Sequence, residues 1–172
     1  MIGDRAMAPG AISVVALSAW LGAAILVAAV VAPAAFAVLP TRSLAGALVG
    51  RVLPVLFYSG AAVGVIAALL GRTTTPSMAR LAAGVIMTAT CLAAQLLVAP
   101  RIDRVRADAG RPIDELAVGD PRRTAFGRLH GVSVLLLGVA AMAGGAALVL
   151  TLRAMPVDGT ARGLSTSLFP GH

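Results

Sequence analysis

Four stretches of this chain, at 6–41, 52–71, 81–100 and 129–152, contain no Asp, Glu, Lys or Arg. Each is long enough to cross a bilayer, because about 20 residues at roughly 1.5 Å rise cover a hydrocarbon core roughly 30 Å thick. The runs therefore predict helices near 11–38, 44–71, 77–100 and 123–152. Of the residues, 59% are hydrophobic and only 12% charged, against roughly a quarter charged in an ordinary soluble domain. The expected fold is an all-α membrane protein, a four-helix transmembrane bundle, with 153–172 as a flexible C-terminal tail. The uncharged stretch at 6–41 far exceeds the roughly 7 to 15 residues of a signal-peptide core, so it reads as a retained helix.

The breaks between runs have local causes. Pro40, Arg42 and a capping Ser43 separate helices 1 and 2, and the turn from Gly71 through Pro76 to Ser77 separates helices 2 and 3. Such short turns make consecutive helices antiparallel neighbours. The segment 101–128 differs in kind, with seven arginines and five acidic residues. Arg101 to Arg106 can prolong helix 3 beyond the membrane with Asp103 and Arg106 at i,i+3 spacing, after which Gly110, Pro112, Gly119 and Pro121 break the chain. Val31-Ala32-Pro33 and Val98-Ala99-Pro100 occupy matching places in helices 1 and 3, ahead of Gly50-Arg51 and Gly127-Arg128. Either two repeated helical hairpins or chance among common residues accounts for them.

Charge points to lipid. All 14 basic residues are arginines, against 7 acidic ones, and they punctuate apolar runs instead of forming one basic stripe, so anionic headgroups fit them better than nucleic acid. Arg42, Arg51 and the seven arginines of 101–128 share one side, against Arg5, Arg72, Arg80, Arg153 and Arg162 on the other. The positive-inside rule then puts both termini outside, in a bacterial cytoplasmic (inner) membrane.

Small residues recur at four-residue spacing, in Gly46 and Gly50, Gly60 and Gly64, Gly127 and Gly131, Ala140 and Gly144, and Ala141 and Gly145. Such faces let helix backbones approach closely in lipid, within the chain, in a homo-oligomer or against another membrane protein, and they predict helices 2 and 4 as the packing centre. His130 invites comparison with a haem or metal ligand, but a bis-His haem needs two histidines and the other, His172, is predicted on the opposite side. A helix-end hydrogen-bonding role is the simpler reading. Met87, Cys91 and Gln95 follow one face of helix 3, and Met142 on helix 4 could complete a soft copper(I) set, although Met and Cys equally serve as apolar filling. Arg51 can snorkel to headgroups or pair with Asp103. Trp20 and Tyr58 require no special role. The sequence holds no Walker loop, dinucleotide fingerprint, nucleophile elbow or intramembrane carboxylate, so no enzyme and no cofactor is expected.

Taken together, Trp20-Leu21-Gly22, Val31-Ala32-Pro33-Ala34-Ala35-Phe36, Gly46, and Gly50-Arg51-Val52-Leu53 resemble the bacterial "domain of unknown function 4149" membrane family, itself similar to eukaryotic transmembrane protein 205. Ala99-Pro100-Arg101-Ile102 and Phe126-Gly127-Arg128-Leu129-His130-Gly131-Val132-Ser133 look like its later motifs. The resemblance, over about residues 15 to 150, implies a four-helix membrane fold without an established activity. It marks Trp20, Pro33, Phe36, Gly46, Arg51, Pro100, Phe126, His130, Gly131 and Ser133 as family-motif residues without assigned chemistry. The eukaryotic relatives are associated with tolerance of platinum drugs, and a looser likeness to copper-resistance membrane domains points to metal handling. The functional expectation is an accessory or scaffold subunit of a larger membrane complex. A small transporter or metal-handling protein is the first alternative, and a haem or redox subunit the second.

Overall fold

A computed structural model describes residues 9–73 and 77–155, of which 72 and 73 are described by backbone alone. Four long helices account for most of them. Helix α1 spans Pro9–Val38, α2 spans Arg42–Thr73, α3 spans Met78–Ala109 and α4 spans Pro121–Ala154. All four are long and apolar enough to cross a membrane, and no strand occurs among the described residues. The protein is an integral, multi-pass membrane protein with an all-α four-helix bundle.

Each helix start has a chemical reason. Thr41 Oγ1 accepts from the Leu44 amide at 3.2 Å, so Thr41 caps α2 in place of the expected Ser43, which lies within the first turn. Ser77 Oγ accepts from the Arg80 amide at 3.4 Å and caps α3. Asp120 caps α4, taking the Arg122 amide at 2.8 Å, and Pro121 follows at the first helical position, where no amide is needed. Helix α3 continues nine residues past the predicted end at 100, and stops at Ala109 because Gly110 turns left-handed with φ +64°. Of the predicted tail 153–172, residues 153 and 154 belong to α4, and 156–172 lie outside the described residues.

Helices α1 and α3 share a deviation. A π-turn at Val27–Val31 in α1 and another at Ala94–Val98 in α3 each end two residues before a proline, Pro33 and Pro100. The Ala32 amide bonds Val27 O, and the Ala99 amide bonds Ala94 O, each five residues back. Proline lacks an amide proton and its ring collides with the carbonyl four residues earlier. A widened turn beside it moves that carbonyl aside. Both copies of Val-Ala-Pro thus carry the same backbone device.

The four helices pack in sequential order around a square. Helix α3 makes the most extensive contacts, with α2 on one side and α4 on the other, while α1 closes the ring against α2 and α4. Direct contact between α2 and α4 is slight. This corrects the expectation that α2 and α4 form the packing centre: they sit diagonally, and the helix between them, α3, takes that place.

Where α2 crosses α3, the backbones nearly touch. A Cβ on Gly84 would sit 2.7 Å from both Gly64 O and Ala68 N. Thr88 Oγ1 lies 2.9 Å from Gly84 O on its own helix and 3.3 Å from Ala61 O across the interface. Deeper in the bundle, Trp20 of α1 is 4% exposed and donates its indole N–H to Leu56 O of α2 at 2.9 Å. Gly60 makes room for that ring, since a Cβ there would lie 2.7 Å from the indole nitrogen and 2.8 Å from Cys91 Sγ.

Candidate functional site

The arginine-rich end of the bundle is folded back on itself. Beyond Gly110 a single 3-10 turn at Ile113–Glu115 touches α2 and α4, and Leu116 is buried against the bundle. Arg123 holds it, donating to Leu116 O at 2.9 Å. Arg122 donates to Asp108 O at 3.2 Å and to the Asp120 carboxylate at 2.7 Å, which ties the end of α3 to the start of α4. The Arg122 guanidinium, by these hydrogen bonds, lowers the Asp120 carboxyl from 3.8 to about 2.

Above α4's first turns, three side chains form a row. The guanidinium carbon of Arg106 lies 5.2 Å from the Phe126 ring centroid. Phe126 and His130, one turn apart on α4, stack with centroids 6.2 Å apart and planes 5° from parallel. Arg106 also lies beside α2 at two glycines: a Cβ on Gly50 would be 3.7 Å from its Nη1, and one on Gly46 would be 4.0 Å from its Nη2. Asp103, one turn earlier, approaches Arg106 only to 3.9 Å. It therefore pairs with Arg106 and not with Arg51, which is exposed and has no ion pair among the described residues.

From this row an outward face runs the length of α4. Gly127, Gly131, Gly138 and Gly145 have nothing within 4 Å of an added Cβ, and Leu135 and Met142 beside them are 66% and 75% exposed. At about 100° per residue these positions fall on one stripe, with Gly131, Gly138 and Gly145 at seven-residue intervals. The inward stripe of the same helix has the same period in Ser133, Ala140 and Ala147, all buried, with Gly144 against Met87 Sδ. Sequence reading grouped Gly127, Gly131, Gly144 and Gly145 together as packing residues. Of these only Gly144 packs within the chain. The rest of the predicted set divides: Gly60 and Gly64 lie at close helix contacts, and Gly46 and Gly50 face Arg106.

The soft-ligand set does not assemble. Met87 and Cys91 are fully buried in the core beside Trp20, whereas Met142 points outward from α4, so a third ligand from there is excluded by direction. His130 is exposed, and its neighbour is an aromatic ring. Among the motif residues, Trp20 and Ser133 are buried, while Pro33, Phe36, Arg51 and Pro100 are exposed. Sequence reading named Gly64 but missed its partner across the crossing, Gly84, whose only signal is the small-residue spacing to Thr88, and it gave Trp20 no role.

A family model described as "Domain of unknown function (DUF4149)" matches residues 15–111. The match runs from the first helix through the end of α3, so Phe126, His130, Gly131 and Ser133 stand beyond the matched span. No curated protein and no solved structure matches the chain.

Proposed function

This chain belongs to the family described as Domain of unknown function (DUF4149), and we propose that it works without catalysis, as an accessory or scaffold subunit that associates with other transmembrane helices. The observation that carries this reading is the outward stripe of Gly127, Gly131, Gly138 and Gly145 on α4, with no neighbour at any of the four. In lipid, apolar surface alone does not drive helices together, and close backbone approach at glycines does. Four glycines turned to lipid along one helix weaken that helix and gain nothing from lipid contact. A partner helix seated on them restores the lost contacts.

The alternatives draw less support from the geometry. Metal handling through Met87, Cys91 and Met142 would require residues that face different ways, and a haem held by His130 would need an enclosing pocket beside an exposed side chain. We also place the protein in a bacterial inner membrane with the loops after α1 and α3 in the cytoplasm, on the arginine asymmetry.

Native extraction followed by mass spectrometry tests association. The wild type should be recovered with a stoichiometric membrane partner or a second copy, and Gly131→Leu with Gly138→Leu should lower that recovery by about tenfold. Trp20 fluorescence should stay unchanged in the variant, because the altered face touches nothing in the fold. Recovery of the wild type only as a free monomer refutes the proposal.

A further inference from the structure

Among the described arginines at the loop end, Arg106 alone lies over an aromatic ring with no hydrogen bond from its donors. Arg122 and Arg123 spend theirs on Asp120, Asp108 and Leu116. Arg106 lies over the Phe126 ring and beside the glycines of α2, with its side chain 40% exposed, and makes no hydrogen bond among the described residues. Its contact with Asp103, at 3.9 Å, is too long for one, and Asp103 is itself 75% exposed. A guanidinium over a ring face leaves its N–H groups free, and its planar fork matches the paired oxygens of a phosphate.

Depth decides which phosphate. The uncharged runs of α2, α3 and α4 meet charge at Arg51, Arg101 and Arg128, so these three mark one level, the headgroup layer. Helical side chains lean toward the N-terminus of their helix. Arg106, just beyond that level on α3, therefore reaches back toward the bilayer, which is where Gly50 meets it. The segments 42–51 and 101–128 carry nine arginines against five acidic residues, so the surrounding field favours an anion.

We propose that the surface around Arg106, beside Gly46 and Gly50 of α2 and Phe126 of α4, binds the phosphate of an anionic phospholipid headgroup, with Arg106 as its donor. The glycines leave room beside Arg106 on α2, and the Phe126 ring lies under its guanidinium. His130 lies parallel to that ring one turn further along α4. The site is separate from the outward stripe of α4 and does not depend on it.

Full-length protein in nanodiscs of phosphatidylglycerol and phosphatidylcholine provides the test, read as lipid retained in native mass spectrometry. The wild type should retain phosphatidylglycerol over phosphatidylcholine by about fivefold or more. Arg106→Gln should bring the ratio close to one, and Arg106→Lys should recover only part of it, since the charge returns without the fork. Arg104→Gln removes the same charge from a position with no ring beneath it and should leave most of the preference. Equal losses in Arg104→Gln and Arg106→Gln would mean diffuse attraction and overturn the site. Should Arg106→Gln fail to fold, Phe126→Leu takes its place. It removes the ring beneath the cation and should reduce the preference by roughly twofold to fivefold, and an unchanged ratio there overturns the proposal. Inorganic phosphate added to the phosphatidylglycerol discs should not displace the retained lipid. Displacement at millimolar phosphate would assign the site to free phosphate instead.

Discussion

Asp120 shows how much one side chain at a helix start can organise. Its carboxylate caps α4 and grips Arg122, which in turn reaches the end of α3. The Arg122 hydrogen bonds lower its carboxyl from 3.8 to about 2. A depressed carboxyl stabilises the fold fully above its unfolded value and loses that contribution as pH falls through the folded one. The wild type should therefore melt higher than Asp120→Asn above pH 3.8, and the gap should close as pH drops toward 2. Thermal unfolding of detergent-solubilised protein across that range checks it, and a gap that persists at the acid end would refute the assignment. Trp20 and Cys91 give the opposite lesson. Each is the only residue of its type, and each is committed to the core by a close contact with the surface cleared at Gly60.

At the scale of the helix, the same added methyl group should have opposite effects at two glycines. In Gly84→Ala it meets backbone atoms of α2 at 2.7 Å, which forces the α2 and α3 crossing apart and should cost about 1–3 kcal/mol. In Gly127→Ala it enters open space on α4, where replacing glycine in a helix should gain roughly 0.5–1 kcal/mol. Denaturant titration in mixed micelles measures both, and a destabilised Gly127→Ala would show that its surface is already covered. The sequence marks both residues alike, as glycines in an apolar helix, because the rotation of each helix about its axis is absent from a local pattern. Pro33 and Pro100 were legible only as matching positions of α1 and α3. The π-turns that accommodate them arise from how a whole turn relaxes around a missing amide.

For the molecule as a whole, the segments around the loops after α1 and α3 carry Arg42, Arg51 and the seven arginines of 101–128, at the end opposite the turn between α2 and α3. Cys91 is fully buried, so an introduced cysteine can be labelled against a silent background. Val118→Cys, at a position 87% exposed, should be protected from a membrane-impermeant thiol reagent applied to intact cells and labelled once the membrane is opened. Labelling from outside would reverse the orientation. The number of helices and their sites of interruption were determined by the sequence alone, because a run without charges must leave water and a proline or capping residue acts within one turn. Which helix stands at the centre, which glycines face inward, and which arginine meets Phe126 were decided only by tertiary structure. Those depend on the rotation and crossing of four helices that are apolar on every side, so no amphipathic stripe in the sequence points the way in.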